Sequence, residues 1–260
     1  MLYKHIRVNT LLNKITNKDI LFGGNYTIDP YQNCEYGCIY CDSSNEKTIY
    51  IKTNAADVLR KELNQVNKGV IIIGSVNDPY QYAEENYRIT RNLLEVIKEK
   101  NFPCHILTKS DLILRDVKLL SRLEYCSVTI SLITLDNKIS NIFEKNVPSP
   151  KIRLQTIEKL SESGIKSGIA VIPIIPYISE SEIEKIIKSA KNHNAQYFLY
   201  KHLELKGDQK SCFLGILKEK YPNLIEKYKK LYKQNYIPNY KYLSKIKINC
   251  VIPKLLPSRK

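Results

Sequence analysis

Three cysteines stand within eight residues in Cys34-Glu35-Tyr36-Gly37-Cys38-Ile39-Tyr40-Cys41, spaced C-x3-C-x2-C. No other stretch constrains the chain as much. Thiolates this close cannot easily pair with one another as disulfides, but they can wrap one face of a metal cluster. A four-iron cluster takes one thiolate per iron, so three protein ligands leave one iron open for a substrate or cofactor. Gly37 removes a Cβ where the loop must curl. Tyr40 puts a ring beside the third cysteine, where it could stack on a flat cofactor. The chain has 7 Cys in 260 residues, and composition alone supplies such a run by chance at roughly 0.005 per chain. The competing reading is a zinc knuckle, which needs a fourth Cys or His at finger-like spacing. The next such residues, Cys104 and His105, are far along the chain.

A chain of this length can build one sizeable core, and an α/β barrel can occupy it as a single domain. Apolar residues make up 43% and charged residues 26%, the balance of a soluble globular protein. No stretch has the length of a membrane span, since the most apolar run, 168–178, is short and broken by Pro173 and Pro176. The first residues form no apolar signal segment. A cytoplasmic location is therefore expected, where thiols stay reduced.

The net charge of +15 suits an anionic partner such as nucleic acid. Lys outnumbers Arg by 33 to 8, however, as an AT-rich coding sequence would also produce.

Hydrophobic periodicity alternates between helix and strand. Helices are predicted over 53–67, 85–100, 117–123, 150–163 (ended by Gly164) and 181–193, the last capped by Ser179 or Ser181. Strands are predicted over 26–28, 69–74, 103–108, 125–131, 166–172 and 196–200. Six strands alternating with helices argue for a parallel sheet. A closed barrel of eight units needs about 250 residues. The expected fold is therefore α/β, a partial (β/α)6 TIM-type barrel over residues 1–200. Residues 201–260 are expected to form a basic, mainly helical C-terminal extension packed on it. The cysteine loop follows the first strand, at the face where barrel chemistry sits.

Other candidate residues fall at the remaining strand ends. Ser75, Asn77 and Asp78 follow the second strand and offer acceptors to an ammonium, although Asn-Asp-Pro is also ordinary turn chemistry. Lys109 ends the third strand. Ser131 and Thr134 end the fourth and could bind hydroxyls. Arg153 could reach the barrel mouth or pair on the surface. Lys201 and His202 follow the last strand. Cys212 and Cys250 have no assigned place. In the extension, Tyr228, Tyr232, Tyr236, Tyr240 and Tyr242 interleave with lysines across 218–247. Basic residues with aromatics suit single-stranded nucleic acid; the spacing of Tyr228, Leu231 and Tyr232 equally suits a helix packed on the barrel. If the first reading holds, this segment lies beside the mouth and guides a polyanion inward.

The cysteine spacing with its aromatic residue before the third Cys resembles the radical S-adenosylmethionine (SAM) superfamily. The flanking Asp29-Pro30-Tyr31-Gln32-Asn33-Cys34, together with Gly74-Ser75-Val76-Asn77-Asp78-Pro79-Tyr80-Gln81 and Ile106-Leu107-Thr108-Lys109-Ser110, resembles its spore photoproduct lyase-like, DNA repair photolyase-like branch. The resemblance extends over about residues 20–200. It implies a [4Fe–4S] cluster on Cys34, Cys38 and Cys41, and SAM bound by Tyr40, Ser75, Asn77, Asp78, Lys109 and Ser131. It also implies reductive cleavage of SAM to a 5′-deoxyadenosyl radical that abstracts hydrogen from a substrate. A reductant such as flavodoxin or ferredoxin would supply the electron. The branch implies a nucleic-acid substrate; peptide or small-molecule modification, and a non-catalytic Fe–S sensing or nucleic-acid-binding module, are the other readings. One departure stands out. True lyases carry a Cys after the second strand that returns a hydrogen atom to the product. The matching position here is Ser75, whose O–H bond is too strong for that task. Asp42 also stands where those lyases have an aromatic residue.

Overall fold

The structure, a computed structural model, describes residues 1–17, 19, 21–41 and 47–244. Asp42, Lys245, Lys247 and Cys250, singled out by the sequence, lie outside the described residues. The chain opens with β1 (Leu2–Ile6) and β2 (Asn13–Lys14), and β3 (Tyr26–Ile28) begins the parallel series. Two strands, β4 (Tyr31–Gln32) and β5 (Thr48–Lys52), flank the cysteine loop. Next, α1 (Ala55–Glu62) leads to β6 (Ile71–Ile73), and α2 (Ala83–Tyr87) with α3 (Ile89–Glu99) leads to β7 (Cys104–Thr108). A 3-10 turn at Asp111–Asp116 and α4 (Val117–Leu120) precede β8 (Cys126–Ser131). The pair α5 (Asn137–Phe143) and α6 (Pro150–Glu162) precedes β9 (Lys166–Ile174), and α7 (Ile183–Asn192) precedes β10 (Tyr197–His202). Beyond lie α8 (Gly207–Lys220), α9 (Ile225–Leu231) and α10 (Tyr240–Leu243).

The main sheet runs β2-β3-β6-β7-β8-β9-β10. From β3 onward the strands are parallel neighbours in chain order, and β2 pairs antiparallel at the edge. This is the expected partial (β/α)6 barrel, with all six predicted strands in place. Successive side chains point to opposite faces. Ile106, Val128, Ile130, Ile169, Val171 and Phe198 turn outward and pack against Leu93, Ile97, Ile157 and Ile187 of the helices. The inward positions include Leu107, Ala170, Ile172, Tyr197 and Leu199, closed over by Phe22.

The sequence reading missed the small sheet β1-β5-β4, in which β5 runs parallel to β1 and antiparallel to β4. It also missed α5. The helix expected over 85–100 breaks at Arg88, which adopts a left-handed φ of 52° between α2 and α3. The helix expected over 53–67 stops at Glu62. Neither Ser179 nor Ser181 caps α7; a 3-10 turn at Glu180–Glu182 precedes it, and Ser179 Oγ accepts the Ile175 N–H instead. The segment after β10 packs through Leu205, Phe213, Leu217 and Leu224 onto Phe143, Ile175 and Ile178. Tyr228, Leu231 and Tyr232 are buried in that contact, so this stripe is a packing face.

Candidate active site

The cysteine loop leaves the C-terminal end of β3 through β4 and turns at Asn33 and Gly37, both with positive φ. Its backbone is held from several sides. Gln81, fully buried, accepts the Glu35 N–H at 2.9 Å and donates to the Asn33 carbonyl at 3.1 Å. The Tyr36 hydroxyl donates to the Tyr80 carbonyl, and the Ile39 N–H donates to the Phe143 carbonyl. The buried Glu35 carboxylate accepts from the Tyr3 hydroxyl and the Ala83 N–H. Thus β1, α2 and α5 all brace the loop.

A cavity of about 400 Å³ opens at this end of the sheet. It brings together all nine residues expected at the site: Cys34, Cys38, Tyr40, Cys41, Ser75, Asn77, Asp78, Lys109 and Ser131. The three thiols are free of disulfides. Burial and the nearby Asp78 carboxylate push the Cys34 thiol up to about 12. Burial also raises Cys38, against the pull of Lys109.

Thr134 is not part of the wall. Its hydroxyl donates to the Glu182 carboxylate at 2.9 Å, which takes it away from any ligand. Cys212 lies on α8, outside the lining.

The sequence Asp-Pro-Tyr-Gln occurs twice, at 29–32 and 78–81, each time just after a strand. Each aspartate holds the loop of the next strand. Asp29 accepts the N–H groups of Val76 and Asn77 at 3.3 and 3.2 Å. Asp78 accepts the Lys109 N–H at 2.7 Å and the Thr108 hydroxyl at 2.6 Å. Each tyrosine runs into the core to a carboxylate, Tyr31 to Glu84 and Tyr80 to Asp116. Gly74 permits this approach of strands: a Cβ there would sit 2.4 Å from the Leu107 carbonyl oxygen, and φ is +89°. Burial raises the Asp78 carboxyl, opposed by Lys109. Burial works against the Lys109 charge, but Cys38, Glu144, Asp78 and Cys41 outweigh it and raise its pKa. The ammonium stays charged, 5.8 Å from the centre of the Tyr40 ring.

Tyr40 is anchored by a group the sequence did not reveal. Its hydroxyl donates to Glu144, and Glu144 pairs with Arg153 at 2.7 Å, both side chains fully buried. Arg153 also donates to the carbonyls of Pro148 and Ser131 and to Ser140 Oγ. Arg153 therefore reaches neither the mouth nor the surface; it ties the β8 end to the cysteine loop. Lys201, His202, Glu204, Lys206 and Gln209 also line the cavity. Gln209 donates to the Tyr40 carbonyl, and Glu204 pairs with Lys201 at 2.5 Å and Lys206 at 3.4 Å. Burial lowers His202 below the usual histidine range.

Residues 28–190 match the family profile described as Radical SAM superfamily. The chain belongs to the radical SAM superfamily. It is 31% identical over 214 residues to an uncharacterized protein of Methanocaldococcus jannaschii, covering 78% of this chain and 79% of that one. An uncharacterized protein of Mycobacterium tuberculosis is 26% identical over 257 residues, covering 91% and 75%. Among solved structures, a spore photoproduct lyase variant with bound AdoMet and dinucleoside spore photoproduct gives a TM-score of 0.63 at 15% identity. That match covers 84% of this chain and 66% of the lyase. SuiB of Streptococcus suis bound to S-adenosylmethionine gives 0.51 at 21%, over 78% and 44%. The chain thus spans just under two thirds of the lyase and under half of SuiB, and at these identities the likeness is one of fold. Membership of the superfamily makes this chain a radical SAM enzyme. No helix among the described residues is long and apolar enough to cross a membrane.

Proposed function

We propose that Cys34, Cys38 and Cys41 hold a [4Fe–4S] cluster and that SAM binds beside it in the cavity. The enzyme then abstracts hydrogen from a nucleic-acid substrate. The observation carrying this reading is the single cavity in which the three thiols meet Ser75, Asn77, Asp78, Lys109 and Ser131. The donor set suits a cluster better than one ion. A cluster puts each thiolate on its own iron, whereas a zinc site would need a fourth Cys or His near the loop, and the sequence offers none between Cys41 and Cys104. Metal ligation would displace the thiol protons, and the charged Lys109 offsets the anions that result.

A cluster held by Cys34, Cys38 and Cys41 would supply the one electron needed for reductive cleavage of SAM. The chain's own residues bind and orient. Lys109 pairs with the SAM carboxylate by a charge-assisted hydrogen bond. Ser75 and Asn77 offer oxygens to the SAM ammonium, and the Asn77 Oδ1 is a buried acceptor without a protein partner. Tyr40 would pack against the cofactor, and Ser131 would offer its hydroxyl to the ribose. Asp78 holds the Lys109 backbone in place. Residues 201–209, the first part of the extension proposed to begin at 201, complete the lining.

A nucleic-acid substrate is supported by the +15 charge. The lyase neighbour's bound dinucleoside product points the same way. With Ser75 at the strand end from which a lyase thiol would act, hydrogen return falls to another group or to the substrate itself. A reducing compartment such as the cytoplasm, where thiols stay reduced and a cluster persists, suits this reading, with flavodoxin or ferredoxin as electron donor.

The test is anaerobic reconstitution, dithionite reduction and assay of 5′-deoxyadenosine with deuterium-labelled oligonucleotides. Deuterium in the 5′-deoxyadenosine supports the reading. No 5′-deoxyadenosine from any substrate refutes cleavage of SAM. Label uptake only from peptides or small molecules refutes the substrate class.

A further inference from the structure

The lysines and tyrosines of the C-terminal segment divide into two sets. Tyr228 and Tyr232 are buried, their hydroxyls donating to the carbonyls of Pro176 and Leu203. Tyr236 and Tyr240 face solvent, 51% and 83% exposed. Between α9 and α10 lies a groove of about 560 Å³. Lys230, Lys233, Lys241 and Tyr240 line it, and no carboxylate does. None of the three lysines forms an ion pair among the described residues. By contrast, Lys201, Lys206, Lys220 and Lys229 nearby all pair with glutamates. One backbone hydrogen bond ties the segment that forms the groove to the segment that lines the active-site cavity. The Leu205 N–H donates to the Tyr236 carbonyl at 2.7 Å, and Leu203, Glu204 and Lys206 on either side of Leu205 line the cavity.

We propose that this groove binds single-stranded nucleic acid, with phosphates on Lys230, Lys233 and Lys241 and a base stacked on Tyr240, and leads the strand along Tyr236 into the cavity. The proposal rests on the nucleic-acid reading of the active site and adds where, and in what form, the substrate is held. A polyanion explains three unpaired cations in a groove free of acids. An exposed ring among them explains a preference for bases over charge alone. A single strand is favoured over a duplex because stacking on Tyr240 needs a free base face.

The experiment measures anisotropy of a fluorescent oligothymidine with the full chain over a salt series. Wild type is compared with the triple variant K230Q/K233Q/K241Q, with Y240A and with Y240F. On single strands the slope of log K against log salt is about −0.7 per phosphate neutralised. The triple variant should therefore lose about 2 units of slope. Y240A should weaken binding roughly ten- to hundredfold with little change of slope, and Y240F should bind like wild type. Poly-glutamate is the competitor that reports charge alone. If it binds as tightly as the oligonucleotide and Y240A changes neither, the groove is an acidic-peptide site and the proposal fails. If wild type binds the oligonucleotide but the variants keep its affinity and slope, the groove is refuted and the nucleic-acid reading stands. If wild type binds no oligonucleotide even at low salt, that reading falls as well.

Discussion

The carboxylate of Asp78 accepts the backbone N–H of Lys109 at 2.7 Å. The acid in the loop after β6 thus holds the backbone of the cation that follows β7. Asp78 also accepts the Thr108 hydroxyl and the Tyr80 N–H. Its lone pairs are largely used within the protein, so in the proposed site its part is to position Lys109. Hydrogen bonds to a charged group contribute about 1.5–3 kcal/mol. Asp78→Ala should therefore weaken SAM binding ten- to hundredfold, while Asp78→Asn, which keeps an acceptor for the Lys109 N–H, should retain most of the affinity. Calorimetry on reconstituted protein measures both. Equal losses in the two variants would mean that the Asp78 charge touches SAM directly.

Lys109 itself should contribute as much. Lys109→Ala removes the proposed partner of the SAM carboxylate, and affinity should fall by the same ten- to hundredfold. Unchanged affinity in equilibrium dialysis would remove Lys109 from the site.

Iron content tests the cysteine loop. Anaerobic reconstitution should load about four irons per chain on a four-iron cluster. Changing Cys34, Cys38 and Cys41 together to Ala should abolish the loading and its visible absorbance. A triple variant that kept its iron would sink the assignment.

The Glu144–Arg153 pair supports the loop from below. Both side chains are fully buried, and removing one partner of such a pair typically destabilises by about 3–5 kcal/mol. Arg153→Met should lower stability by that amount in urea unfolding, because the Glu144 charge is left without its partner beside the Tyr40 hydroxyl. Arg153→Met with Glu144→Gln should recover most of the loss. A double variant no better than the single would mean that Arg153 works through its bonds to Pro148, Ser131 and Ser140 alone.

The barrel strands were legible because apolar, β-branched runs such as Ile71–Ile73 sit between turn residues, and burial on both faces needs that composition. The small sheet was not, since β1 is mostly exposed and β4 has two residues, too short for any period to show. Nothing in the sequence marks Arg88 as a helix break, because a non-glycine residue took the left-handed conformation there. Strand-end polar residues were found by placement, and all of them but Thr134 share one cavity. Arg153 was singled out by the sequence but not its buried pairing with Glu144; Glu144 and Gln209 act on that cavity from distant segments, so no local spacing identifies them. The repeated Asp-Pro-Tyr-Gln was a signal within reach, since it marks two consecutive strand ends held by the same bonds.

His105 gives the fold a pH dependence that is independent of the active site. It lies inside the barrel, with Nδ1 2.7 Å from Ser127 Oγ, Nε2 3.0 Å from Thr129 Oγ1, and the Phe22 ring centred 4.7 Å away. Burial, aided by the charge of Lys166, pushes its pKa from 6.5 down to about 3. In the folded protein His105 is therefore neutral at any pH above about 3. In the unfolded chain it takes a proton below about 6.5. The unfolded state then binds more protons, so stability falls as pH drops through this window and is fully present above it. Each unit is worth about 1.4 kcal/mol, so acidifying from pH 6.5 to 4.5 should remove about 3 kcal/mol through this residue. His105→Gln has no proton to gain. It will be less stable than wild type at pH 7.5, where the ring's packing and bonds are lost. That deficit should shrink by about 3 kcal/mol at pH 4.5. Paired urea titrations at the two values measure it, with the carboxylates common to both proteins cancelling in the difference. A deficit that stays constant would mean that His105 titrates alike in the folded and unfolded chain.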